Sequence, residues 1–279
     1  MTVTGTLATA RVSALLAILL ISGCNTPKNQ VNPSLDTEMP RKILWAWERP
    51  EDLRFLDPKE FGVAFLAQTI TLEQDRVNSR QRRQPLEIAD GTYLIAVTRI
   101  ETVKEYGKRP TFSDEMISQI VAQIVQTKTL KNVRSIQIDF DAVASERSAY
   151  RRLMVKLAEE LGARNKGQGA SAASTTSPSP SSLVPRVSLT MTSLASWCTG
   201  DAWFNDFPVD EAVPMVFEMG ADSDKIKTYL RNGNDWQEPL CRASYGISLE
   251  EGSFPGVKDG RRIYYFKRSP WRADDINAL

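Results

Sequence analysis

Arg134-Ser-Ile-Gln-Ile-Asp-Phe-Asp-Ala142 is the stretch that decides the fold. Ile136, Ile138 and Phe140 alternate with Gln137, Asp139 and Asp141, and a period of two sends the apolar set to one side of a sheet and the polar set to the other. Two carboxylates closing a buried strand are costly to desolvate, which marks them as residues with a task.

Seven other segments read as extended: 43–48, 61–72, 93–100, 187–192, 212–218, 245–249 and 262–267. Between them lie helix signals. Ser113 with Asp114 and Glu115 opens a helix striped by Ile117, Ile120, Val121, Ile124 and Val125. Ser145 opens a second through Leu153, Leu157 and Leu161, and Asp222 caps a third over 223–231. Pro50-Glu51-Asp52 reads as the opening of a short helix, and the basic run 76–85, with Arg80, Arg82 and Arg83, as a solvated loop. Eight strands mostly separated by helices fit the α/β class, as a single irregular (β/α)8 TIM-type barrel over residues 41–279. The links between the second and third and between the seventh and eighth strands are too short for full helices. An α/β sandwich is the alternative.

Before the barrel, Arg11 is the sole charge ahead of an apolar run, 12–21, that meets Ser22-Gly23-Cys24. That is the order of a secretory signal, and the run is shorter than the ~20 residues that span a bilayer. Ile21-Ser22-Gly23-Cys24 resembles the bacterial lipobox, which implies a signal peptide over 1–23 and lipidation of Cys24 as a membrane anchor. Asn25 after it implies, by the same resemblance, the outer membrane with the protein facing the periplasm. The alternative is an ordinary signal peptide with an incidental Cys. Residues 24–40 read as a flexible tether and 165–185 as a disordered Ser/Pro-rich insertion.

Composition removes whole classes of chemistry. The chain has 35 Lys and Arg against 34 Asp and Glu, and loss of 1–23 with Arg11 leaves 34 of each, which argues against a nucleic-acid partner. There is no histidine, so Ser-His-Asp and Cys-His catalysis and the His-Glu-x-x-His zinc motif are excluded. Acid–base work falls to Asp, Glu, Lys, Tyr or Cys. No metal motif is present and no cofactor is implied; a hard cation held by oxygen ligands from Asp139, Asp141 and Glu218 is the alternative. Cys198 and Cys241 are expected to pair as a disulfide in an oxidising envelope, with two buried thiols as the alternative.

A barrel of this kind works at the C-terminal ends of its strands. Those ends carry Glu48, Arg99, Asp139, Asp141, Trp197, Glu218, Glu250 and Trp271. Carboxylates with tryptophans make up a cleft that binds or cleaves sugars, because indole faces pack on pyranose rings and paired carboxylates act as acid and base. Asp139 and Asp141 stand about 6 to 7 Å apart along one strand, and like charges that close raise one pKa toward that of a general acid. The competing reading pairs them with Arg99, Arg134 or Lys267 for structural ends, and takes Trp45 and Trp47 as packing.

Trp45-Ala-Trp-Glu-Arg-Pro50, Ile138-Asp-Phe-Asp141 with Ser145-Glu-Arg147, Ser193-Leu-Ala-Ser-Trp-Cys198 and Val213-Pro-Met-Val-Phe-Glu-Met-Gly220 together resemble a bacterial family catalogued as domain of unknown function 3142. The resemblance runs from about Lys42 to near the end of the chain. It implies no particular activity. More distantly, the chain is similar to chitinase-like family 18 glycoside hydrolases, whose fourth strand ends Asp-x-Asp-x-Glu and sixth Met-x-Tyr-Asp. Here the positions read Gln137-x-Asp139-x-Asp141 and Met215-x-Phe217-Glu218, with Trp271 matching a last-strand tryptophan. Asp141 is one methylene shorter than Glu, and Phe217 lacks the tyrosine hydroxyl. The resemblance implies a substrate-assisted mechanism with Asp141 as general acid and Asp139 positioning a substrate amide. Glu218 supports them, and Glu48, Gln137, Trp197, Glu250 and Trp271 bind a glycan or polysaccharide. A non-catalytic glycan-binding or structural envelope lipoprotein is the alternative.

Overall fold

The computed structural model describes residues 1–2, 38–162, 187–252, 254–277 and 279. The chain divides into Met1–Val31 and Asn32–Leu279, and the elements below belong to the second unit. In chain order they are β1 (Lys42–Ala46), β2 (Glu51–Leu53), β3 (Phe61–Glu73), β4 (Arg76–Gln81), β5 (Leu86–Ile88), β6 (Tyr93–Thr102), α1 (Asp114–Gln126), β7 (Val133–Asp139), α2 (Arg147–Glu160), β8 (Ser188–Leu194), β9 (Glu211–Met215), α3 (Ser223–Arg231), β10 (Ser244–Ser248), β11 (Arg262–Phe266) and α4 (Ala273–Ile276). Eight of the strands, β1, β3 and β6 to β11, run parallel and in sequence. The ring closes on β1, which pairs with β3 from Lys42↔Phe61 to Ala46↔Phe65 and with β11 from Lys42↔Ile263 to Leu44↔Tyr265. The fold is a TIM-type α/β barrel, and the sandwich alternative falls.

The helices sit where the periodicity placed them. Ser113 Oγ accepts from the Met116 amide at 3.2 Å and starts α1, whose Met116, Ile117, Ile120, Val121 and Ile124 are buried. Asp222 occupies the position before α3 but makes no side-chain cap bond. The turn at Ser145 forms a 3₁₀ segment, Ala144–Glu146, and α2 begins only at Arg147. As the short links required, β10 reaches β11 past one 3₁₀ turn, and β3 reaches β6 through strands alone.

Two segments differ from expectation. The basic run 76–85 contains β4, antiparallel to β3 from Gln68↔Gln81 to Glu73↔Arg76. Pro50-Glu51-Asp52 enters β2, which pairs with β5, because the buried Glu51 carboxylate is satisfied by Arg49 Nε at 2.6 Å and by the Trp271 amide at 3.0 Å.

Three apolar clusters result. One lies under the helices, joining Ile136, Ile138 and Phe140 of β7 to Ile120, Tyr150 and Leu153. A second covers the outside of β1, β3 and β11, using Leu53, Leu56 and Trp271 with Ile276 of the short α4 packed against them. The third fills part of the barrel interior with Ile43, Trp45, Ala64, Ile95, Tyr264 and Phe266. Gly246 belongs to this close packing, since a Cβ there would come within 2.7 Å of Met215 Sδ. The rest of the interior is polar: Ser135, Gln137 and Asp139 from β7, Thr190 and Thr192 from β8, Glu211 from β9 and Ser244 from β10 are all buried.

At the base of the ring, Arg262 Nη1 donates to Glu211 Oε2 at 2.5 Å, with both side chains buried. The same guanidinium donates to the carbonyls of Pro40 at 2.9 Å and Met39 at 3.4 Å. Met39 is itself buried in the interior cluster. The expected tether, 24–40, therefore overlaps the barrel, which already holds Met39 and Pro40. Its remainder to residue 37, the signal segment beyond Thr2 and the insertion at 165–185 lie outside the described residues.

Cys198 and Cys241 form the expected disulfide, with Cα atoms 6.0 Å apart. It joins the 3₁₀ segment after β8 to the one before β10. Closing a 43-residue separation contributes about 4 kcal/mol in the chain-entropy treatment.

Replacing Arg262 by Met strands the Glu211 carboxylate inside the barrel. An equilibrium urea titration is expected to show a loss of about 3 to 5 kcal/mol, most of which returns when Glu211→Leu is added.

Candidate functional site

The upper half of β3 is what shapes the barrel mouth. A register shift between Leu66 and Gln68 lets β3 continue beyond β1, paired to β6 on one side and β4 on the other. On one face of this three-stranded wall, Ile70, Leu72 and the half-buried Val77 pack with α1. The opposite face carries a row in register across four strands, Arg80, Thr69, Arg99 and Asp139. Arg80 pairs with Glu48, just past β1, and Arg99 Nη1 pairs with Asp139 Oδ2 at 3.0 Å. Thr192 Oγ1 on β8 donates to Asp139 Oδ1 at 2.8 Å, so the strands on both sides hold one carboxylate.

Above Asp139 a cleft of about 190 Å³ opens, lined by Arg99, Glu101, Thr102, Lys104, Phe140 and Asp141 among others. Arg99 Nε donates to Glu101 Oε1 at 3.0 Å, so this arginine serves two acids. Burial pushes the Asp139 carboxyl above the usual aspartate range and Asp141 adds to the effect, while Arg99 and Thr192 oppose it. For Arg99 burial works against the charge, yet Asp139, Glu101 and Asp141 outweigh it and raise the guanidinium's pKa. Behind the pair, Tyr150 stacks edge-on with Phe140 at 5.1 Å, and its buried hydroxyl has no hydrogen-bond partner among the described residues. Burial lifts that hydroxyl's pKa well above its ordinary value, and the two aspartates add to it.

Asp139 and Asp141 therefore come together with Arg99, although they do not share a surface. β7 ends at Asp139, which is 7% exposed, whereas Asp141 lies beyond the strand and is exposed. Gln137 is wholly buried one step below Asp139, and neither of its amide atoms has a partner of ordinary geometry, though it lies against the Tyr264 hydroxyl.

The other expected residues stand elsewhere. Glu218 has a left-handed backbone, φ 50°, and its exposed carboxylate pairs with Arg268. Glu250 accepts from the Arg268 amide at 2.8 Å and from Ser248 Oγ at 2.7 Å. Partial burial works upward on Glu250, but these two donors outweigh it and hold its pKa below the ordinary value. Neither acid lines the cleft. Trp197 and Trp271 are 3% and 4% exposed, so neither offers a ring face to a sugar. Trp197 packs edge-on against Trp203 at 4.9 Å, and Trp271 Nε1 donates to the Trp45 carbonyl at 2.9 Å. Their expected role as ligand platforms is replaced by core packing. Among the described residues, no group of three or more Asp, Glu, Cys or His side chains is placed to hold a metal ion.

No protein-family model matches the chain, and no curated protein matches it.

The geometry of the site includes Thr192, Glu101 and Lys104 beside the expected residues. Thr192 was visible in principle, since it keeps the phase of the fifth strand. Glu101 and Lys104 carry no local signal of a cleft, and the buried Glu146 that ties Lys104 down is brought there only by the fold.

Because the folded chain holds the Asp139 proton to higher pH than the unfolded chain does, this group favours folding most below about pH 3.9, the ordinary aspartate pKa. The advantage declines as pH rises through the raised folded value. Asp139→Asn is expected to remove that decline, which urea titrations at a series of pH values compared with wild type will reveal.

Proposed function

We propose that the protein is a bacterial envelope lipoprotein, anchored through Cys24 on the outer membrane and facing the periplasm. Its barrel binds and hydrolyses a polysaccharide by carboxylate acid catalysis. We also propose kinship with the domain of unknown function 3142 family and, more distantly, with chitinase-like barrels.

The observation that carries the reading is the aspartate pair at the end of the fourth barrel strand, one carboxyl buried and braced, the other open to the cleft. Asp141 is the acid that protonates the leaving glycosidic oxygen. Asp139 is held by Arg99 and Thr192 in one orientation and is the group to receive a substrate amide hydrogen. Glu218, turned onto Arg268, takes no catalytic part in this reading. A second reading, a barrel that binds glycan without cleaving it, is favoured by the place of Glu218, which pairs with Arg268 outside the cleft and so does not join Asp139 and Asp141 as the expected supporting carboxylate.

Purified protein screened against envelope and exogenous glycans is expected to release reducing ends from at least one, and Asp141→Asn to lower kcat/KM about 10²- to 10⁴-fold on it. Equal activity of that variant and wild type would sink the catalytic assignment, and binding on a glycan array without turnover would favour the second reading. For the anchor, growth with an alkyne-bearing fatty acid should label wild type but not Cys24→Ser, and labelling of both would remove Cys24 as the attachment point.

A further inference from the structure

Glu146 is a buried carboxylate that the proposed chemistry does not use, and its bonds join the two segments that flank the cleft. It is 6% exposed. Oε1 accepts from Thr102 Oγ1 at 2.8 Å and Lys104 Nζ at 2.7 Å, while Oε2 accepts from Lys104 Nζ at 2.8 Å and the Val143 amide at 3.0 Å. Thr102 ends β6, three residues after Arg99, and Lys104 follows in the loop. Val143 lies two residues after Asp141, in the turn between β7 and α2. One carboxylate thus joins the element that carries Arg99 to the element that carries Asp141.

The turn's other restraints tie it to the core and to itself, not to β6: Phe140 and Ala142 are buried in the cluster under the helices. The Ala142 amide donates to the Phe140 carbonyl at 2.9 Å and the Glu146 amide to the Val143 carbonyl at 2.8 Å, both within the turn itself. Val143 is an exposed apolar residue and gains no packing from the core. The link from the turn to β6 is the Glu146 carboxylate, reaching back to Val143 as the returning half of a capping box and outward to Thr102 and Lys104. The same bonds occupy the Lys104 ammonium, one of two cations lining the cleft, and keep it from swinging onto Asp141.

We infer that Glu146 is a positioning residue, a clamp that holds the Asp141 turn against the Arg99 strand and so sets where Asp141 stands over Asp139. The inference takes its meaning from the proposed site, but its primary readouts need no substrate, so a protein that cleaves no glycan tests it equally well.

The experiment uses the lipidated protein in detergent micelles, as wild type, Glu146→Gln and Glu146→Asp. The aspartate variant keeps the charge but loses one methylene of reach, which separates the clamp from the electric field of the group. Amide hydrogen exchange of 141–144 is expected to quicken about tenfold in both variants relative to the global unfolding rate. Carbon-13 titration of the Asp139 carboxyl is expected to move down toward the ordinary aspartate range, as the Asp141 charge is drawn away. Where turnover has been found, kcat falls with KM little changed. If both variants lose only global stability, with 141–144 exchange and the Asp139 titration as in wild type, Glu146 is a structural group and the inference is overturned. A change in Glu146→Gln that Glu146→Asp does not share overturns it equally, since charge alone is then responsible.

Discussion

The Arg262 guanidinium at the barrel base makes one side chain common to three parts of the ring. It belongs to β11, pairs with Glu211 of β9, and binds the carbonyls of Met39 and Pro40 just before β1. A closed ring of parallel strands leaves no free edge, but its interior must be filled, and here that interior is divided. Aromatic and aliphatic groups from β1, β3, β6 and β11 fill one arc. Ser135, Gln137, Thr190, Glu211 and Ser244 occupy the other. Burying Glu211 is tolerable because a fork-shaped cation meets it in the same low-dielectric space, and removing either partner alone leaves a charge that water cannot reach. Asp139 is the upper end of that polar arc, so the constraint at the base and the site at the mouth belong to one feature of the interior.

The mouth depends in turn on the length of β3. At thirteen residues it outlasts β1, and the shift at Leu66/Gln68 turns its upper half so that Ile70 and Leu72 meet α1. This places Thr69 between Arg80 and Arg99 on the mouth side. Arg99 reaches Asp139 because β6 is carried upward beside β3, in register Arg99↔Asp139 with β7. A shorter β3 would leave Asp139 with Thr192 alone, and burial would then act on it without a nearby cation to offset it.

What could be read in advance follows from where each segment's partners lie. The eight barrel strands alternate or run apolar because one or both faces meet the core a few residues away, and Ser113 announces α1 by a bond to Met116. β4 gives no such sign. Its Arg76, Asn78 and Arg80 are exposed and only Val77 is half-buried, so no period of two appears. β2 was misread because Glu51 looks like a helix-opening acid until Trp271, 220 residues away, supplies its amide. The tryptophans failed for a related reason. Trp at a strand end has one composition whether it faces a ligand or plugs a gap, and what makes Trp271 a plug is the cluster outside β1, β3 and β11 that it joins with Leu53 and Leu56, which only the fold assembles.

The aspartate pair shows how a correct spacing can hide an unequal pair. Two residues apart on a continuing strand, both carboxylates would face the same way and share one environment. The strand stops at Asp139, the chain turns, and the two groups part. Asp139 keeps the desolvation of the barrel interior and two fixed donors, whereas Asp141 keeps access to solvent. Environments that differ this far assign different tasks to chemically identical groups. A braced, dehydrated carboxyl is suited to orienting a ligand, and an open one to exchanging a proton with it. The single residue between them, Phe140, fixes this division by anchoring against Tyr150 on the far side of the sheet.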